Sequence, residues 1–129
     1  MHFTEIQTAF ENCQSWEERY RLLVQLSRQL PKLSEDQLSE LPEIEGCESR
    51  LWFQFEAEPR QIFAFSDARL MQGILQIVQT LLLETPTEKL AELDLQGVFN
   101  QLKISQNLTQ TRLNGLAEIQ RIVQNAIRP

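Results

Sequence analysis

The sequence predicts an α+β fold, a small antiparallel β-sheet packed with helices, in one domain spanning residues 1–129. Three observations carry this. Leu51-Trp52-Phe53-Gln54-Phe55-Glu56 alternates, with Leu51, Phe53 and Phe55 on one face and Trp52, Gln54 and Glu56 on the other, which is the period of a strand. A second run, Ile62-Phe63-Ala64-Phe65, follows after Glu58-Pro59-Arg60 and completes a hairpin. Residues 68–83 are apolar almost all round (Leu70, Met71, Ile74, Leu75, Ile77, Val78, Leu81, Leu82), as expected of a largely buried helix.

The remaining elements are helical, and their starts are written in polar caps. Thr4-Glu5-Ile6-Gln7, Ser15-Trp16-Glu17-Glu18 and Ser34-Glu35-Asp36-Gln37 fit the pattern in which a hydroxyl and a carboxylate or amide three residues on satisfy each other's backbone N–H groups. Thr85-Pro86-Thr87-Glu88 fits it too, with proline at the first helical position. From Ser15, the residues Trp16, Tyr20, Leu23 and Leu30 share one face with Leu26 beside them, and Pro31 stops that helix. Residues 31–46 read as a polar linker with one short helical turn. Both faces of the hairpin carry aromatics, so helices must cover at least one. Gly73 costs about 1 kcal/mol against alanine inside a helix, which a close backbone crossing would justify. Two short helices are expected near 87–92 and 95–102. The last runs from 110 to 127 on the stripe Leu113, Leu116, Ile119 and Val123.

Composition narrows the function. The chain has 129 residues, 42% hydrophobic and 23% charged, the balance of a globular protein with one core. A net charge of −6 with no basic stripe argues against nucleic acid as the partner. The most apolar stretch, Leu70 to Leu83, is interrupted by Gln72, Gln76, Gln79 and Thr80 and is too short and polar to span a bilayer, so no membrane partner is expected. Met1-His2-Phe3-Thr4-Glu5 lacks the basic and apolar segments of a signal peptide. A cytoplasmic location, where thiols stay reduced, is the default.

Two cysteines do not make a disulfide framework, and with a single terminal histidine they do not supply four zinc ligands, so no metal is expected. No glycine-rich phosphate loop is present, and no cofactor is implied. Cys47 follows Gly46 at the end of a polar stretch and immediately before the first strand. A packing thiol more often lies inside a periodic apolar segment, whereas loops more often carry function; both readings of Cys47 stay open at this point. The lone histidine, His2, leaves Cys47 without an imidazole base, which disfavours a Cys-His hydrolase. Cys13 reads as a packing residue at a helix junction. Asp67 follows Ser66 at the strand-to-helix junction and reads as a helix cap. Arg112 lies in the first turn of the last helix, where the dipole disfavours a cation. It is either a solvated arginine or a cation facing a thiolate or persulfide, whose charged form it would favour.

Together these segments resemble the SufE-type sulfur-acceptor family, including its CsdE branch. Gly46-Cys47-Glu48-Ser49-Arg50-Leu51-Trp52 is similar to that family's Gly-Cys-x-Ser-x-Val-Trp. Cys13-Gln14-Ser15-Trp16-Glu17-Glu18-Arg19-Tyr20 and Gln29-Leu30-Pro31-Lys32-Leu33 resemble the start and end of its first long helix. Ser66-Asp67-Ala68-Arg69-Leu70-Met71-Gln72-Gly73 and Leu108-Thr109-Gln110-Thr111-Arg112-Leu113-Asn114-Gly115-Leu116 resemble two further blocks, in the expected order. Leu51 stands for the usual valine, Phe65 for an Asp or Gly, and Gln110-Thr111 for Pro-Ser. The resemblance implies an α+β fold shared with the IscU-type scaffold proteins. It implies an accessory protein rather than an enzyme, one that takes persulfide sulfur from a pyridoxal-phosphate cysteine desulfurase onto Cys47. The sulfur then passes to an iron–sulfur scaffold or another acceptor. Arg112 and, more weakly, Asp67 are expected near the Cys47 loop. Two readings of other classes stay beside it: a cysteine-dependent small-molecule enzyme, which needs a base near Cys47, and an adaptor in which Cys47 only packs.

Overall fold

The computed structural model describes residues 1–127. Its elements are α1 (Phe3–Glu11), α2 (Trp16–Ser27), α3 (Glu35–Ser39), β1 (Leu51–Glu56), β2 (Gln61–Ser66), α4 (Arg69–Glu84), α5 (Leu95–Gln101) and α6 (Gln110–Ala126), with 3-10 turns over Thr87–Glu92 and Ser105–Asn107. The architecture is α+β, as the periodicities predict.

β1 and β2 form an antiparallel hairpin in which Leu51 faces Ser66, Phe53 faces Ala64 and Phe55 faces Ile62. Leu51 and Phe53 are fully buried on this side, where α4 and α6 pack. Burying side chains of this size contributes about 1.5–3 kcal/mol each. The opposite side pairs Trp52 with Phe65, and the Arg50 guanidinium stacks 4.5 Å from the Trp52 ring centre. α4 is buried nearly all round and forms the centre of the core, packed between α2 and the sheet. Gly73 is where α2 and α4 cross: a Cβ there would stand 2.3 Å from the Leu23 carbonyl oxygen, so only glycine admits this approach.

The structure corrects several local expectations. α1 starts earlier than the Thr4 cap: His2 is the cap, and its N–H donates to the Glu5 carboxylate at 2.9 Å. Ser15 caps α2, but Glu18 accepts from the N–H of Gln14 at 2.6 Å rather than from Ser15. The Ser34 box forms complete. Thr85 opens no helix; it ends α4, its hydroxyl donating back to the Leu81 carbonyl at 2.6 Å, and a 3-10 turn follows Pro86. On α2, Tyr20 faces solvent and Arg19 is buried in its stead, on the side where the end of α1 and the end of α5 come together.

The stretch 31–46 is more than a linker. Its end, Pro42 to Ile44, runs antiparallel to β1: Ile44 N–H donates to Leu51 O at 2.7 Å and Phe53 N–H to Pro42 O at 3.2 Å. Arg50 fastens it with two hydrogen bonds to Glu43, Nε–Oε2 at 3.1 Å and Nη2–Oε1 at 3.0 Å.

Candidate functional site

Cys47 therefore sits at the tip of a loop whose two stems, Ile44 and Leu51, are bonded to each other through the backbone. Gly46 turns the chain with φ +87°, a left-handed value that strains any residue with a side chain. The rest of the loop is held by side chains from two elements distant in sequence. Asp67 accepts from Arg50 N–H at 2.9 Å, and the buried Ser66 hydroxyl donates to Arg50 O at 2.6 Å. These bonds fix the loop's return into β1. Asp67 does not cap α4: Ala68 occupies the cap position without a side-chain bond, and the Asp67 carboxylate is spent on the loop instead.

The first turn of α6 holds the middle of the loop. Arg112 Nη2 donates to Ser49 Oγ at 3.1 Å, two residues beyond Cys47. The hydroxyls of Thr109 and Thr111 both donate to Glu48, the second at 3.2 Å. Hydrogen bonding by Thr109 chiefly, against the opposing effect of burial, and then the nearby Arg112 charge and Thr111, hold the Glu48 carboxyl below its usual range. A carboxylate at a helix N-terminus also meets the positive end of the dipole. Arg112 tolerates its first-turn position because Glu48 and Ser49 face it. Its Nε is buried and has no hydrogen-bond partner among the described residues.

The thiol itself is half-buried. It lies over Gly115 of α6: a Cβ built at that glycine would be 3.5 Å from Cys47 Sγ and 3.1 Å from Leu51 Cδ2. The missing side chain is what lets the cysteine and Leu51 seat against the helix. Arg112 and Asp67 are thus both brought to the Cys47 loop, each bonded to a neighbour of the cysteine rather than to its sulfur. His2 is bonded to Glu84 at the far end of α4, whose 16 residues span about 24 Å from the loop-side terminus.

Cys13 lies elsewhere, at the α1–α2 junction, its thiol donating to Ala9 O at 3.4 Å. Burial chiefly, and then the Glu18 charge, raise its pKa above the ordinary thiol value, against the nearby Arg19. Sequence reasoning missed Glu48, Ser49, Thr109, Thr111 and Gly115 as partners in the site. Their signal was present only as adjacency: two threonines at the start of α6, Thr109 at its cap and Thr111 in its first turn, and a glycine one turn after Arg112.

Among the described residues, no helix is long and apolar enough to cross a membrane. Residues 4–127 match the SufE family, described as an Fe-S metabolism associated domain. An uncharacterized SufE-like protein of Haemophilus influenzae is 36% identical over 118 residues, covering 89% of this chain and 94% of that protein. With the match running through every element that builds the Cys47 loop, the chain belongs to the SufE family of Fe-S metabolism associated proteins.

Proposed function

We propose that this protein is a sulfur acceptor and desulfurase activator: it takes persulfide sulfur from a pyridoxal-phosphate cysteine desulfurase onto Cys47 and passes it on for iron–sulfur cluster assembly. It acts as a carrier, not as an enzyme in its own right. The observation that carries this reading is the state of Cys47, half-buried over Gly115 on a loop held by exchangeable side-chain hydrogen bonds. A carrier thiol needs shelter while loaded and release on a partner, and such a loop offers both.

The transfer balances without a further reagent. The Cys47 thiolate attacks the outer sulfur of the desulfurase persulfide. The new S–S bond forms on Cys47, the old one breaks, and the desulfurase cysteine leaves as a thiolate. No base beside Cys47 is required once the thiolate has formed. Removing the persulfide frees the desulfurase for another turnover. Arg112 and Asp67 act as positioning residues through Ser49 and Arg50, and the Arg112 guanidinium lies close enough to the loop to steady negative charge developing there.

The test is intact-mass spectrometry after incubation with a cysteine desulfurase and L-cysteine. One added sulfur, about 32 Da, is expected on Cys47, the mass gain of a reversible persulfide. Cys47→Ser should carry no adduct and give no stimulation, while Cys13→Ser should keep both. Full stimulation by Cys47→Ser would favour an adaptor in which Cys47 only packs. Turnover of a small thiol substrate by the isolated protein would favour an enzyme.

A further inference from the structure

A second polar cleft lies apart from the residues of the Cys47 loop. The last turn of α1, the start of α2 and the end of α5 enclose a cavity of about 360 Å³. Arg19, Lys103, Glu11 and Cys13 line it, over the apolar surfaces of Phe10 and Leu102. Arg19 is the informative member. The residue is 8% exposed, it pairs with no carboxylate among the described residues, and its Nε is buried without a partner. Its one hydrogen bond, from Nη2 to Cys13 O, is long at 3.4 Å. A buried guanidinium left this way lacks the partner that buried charges ordinarily have.

Lys103 is the second. It holds φ +60° at the end of α5, where Ile104 N–H donates to Phe99 O at 3.0 Å and Lys103 N–H to Asn100 O at 3.1 Å. Glycine is the unstrained residue for this terminating turn, yet the chain places a lysine there with its side chain on the cleft. The opposite sign is supplied by Glu11, unpaired among the described residues, and by the carbonyl ends of α1 and α5, which carry partial negative charge. The cleft thus presents two cations and one carboxylate over an apolar floor. Cys13 donates to Ala9 O and stays a neutral wall rather than a reacting group.

We propose that this cleft binds a small zwitterion of the free α-amino acid class, its carboxylate on Arg19 and Lys103 and its ammonium on Glu11 and the carbonyl end of α1. A planar guanidinium matches a carboxylate in two-point fashion, which explains why an arginine is buried here unpaired. The apolar floor of Phe10 and Leu102 takes a small side chain. This inference does not depend on the sulfur-carrier reading of Cys47.

The test is a titration of the full ¹⁵N-labelled chain followed by amide NMR, with L-alanine, acetate, methylammonium and sulfate as separate probes. Alanine should give saturable shifts at the amides of Phe10 to Cys13, Arg19 and Lys103, and bind about tenfold more tightly than acetate or methylammonium, the loss expected when one charge-assisted bond is missing. Lys103→Gln and Glu11→Gln should each weaken alanine binding by a similar factor. Arg19→Gln should abolish it; because Arg19 is buried, the two exposed variants decide the matter if that chain does not fold. No saturable shift with alanine overturns the proposal. So does equal binding of acetate or sulfate, which marks a simple oxyanion site, or unchanged alanine affinity in both exposed variants.

Discussion

Replacing Arg112 by alanine separates two roles that the Cys47 loop assigns to one side chain. The substitution removes the hydrogen bond to Ser49 and the cation beside Glu48, while the two threonine bonds to Glu48 and both anchors at Arg50 remain. A hydrogen bond from a charged donor is worth about 1.5–3 kcal/mol when fully buried. Here the side chain is only half-buried, and truncation also frees a buried Nε from its unpartnered state, so about 1 kcal/mol is a fair net. That is about a fivefold rise in the population of open loop. In a Cys13→Ser background, iodoacetamide should therefore modify Cys47 about five times faster than in the parent. Global unfolding should move by less than about 1 kcal/mol, because loop opening is local. On the proposed carrier reading, sulfur acceptance from a desulfurase should nevertheless slow, since the guanidinium proposed to steady developing negative charge is gone. Arg112→Lys should recover part of the acceptance rate and less of the loop restraint, as a point charge lacks the planar fork. Alkylation at the parental rate would refute the restraint. Acceptance rising in step with alkylation would refute the role in transfer.

Three further outcomes follow from the same geometry. The Glu48 carboxyl is held below its usual range, so its restraint is complete at neutral pH and is lost as the pH falls through that lowered value; a pyridyl disulfide that reacts in acid should find Cys47 more accessible there, and Glu48→Gln should show the accessible state with no such acid dependence. Gly73→Ala forces a Cβ to 2.3 Å from the Leu23 carbonyl, so α2 and α4 must separate; a loss of about 1–3 kcal/mol or more is expected in a urea titration with unchanged slope, and parental stability would mean the crossing has slack. Gly115→Ala should fail to deliver the about 1 kcal/mol that alanine gains over glycine in a helix, because its Cβ crowds Leu51 at 3.1 Å; a full gain in the thermal midpoint would show that the Cys47 seat is not tight.

The sequence by itself determined the main elements and their order. Alternation over 51–56 read as a two-faced strand, the all-round apolar run after Ala68 as a buried helix, and Gly73 inside it as justified by a close backbone crossing, which Leu23 supplies. A cysteine after a glycine, outside any periodic segment, marked a candidate loop, and the structure brings Asp67 and Arg112 to it. What the sequence left open was which of several equivalent local bonds each polar group makes. Thr4, Thr85 and Asp67 all match cap patterns, but a cap pattern is satisfied by any nearby donor. The choice fell to His2 for α1, to the end of α4 for Thr85, and to the backbone of Arg50, seventeen positions away, for Asp67. Likewise the burial of Arg19 over Tyr20 depends on where α1 and α5 pack, and the meeting of Glu48 and Ser49 with Thr109, Thr111 and Arg112 across more than sixty positions depends on where α6 packs. Local propensity reaches only a turn or two along the chain; contacts between groups that far apart exist only once the core has placed the helices that carry them.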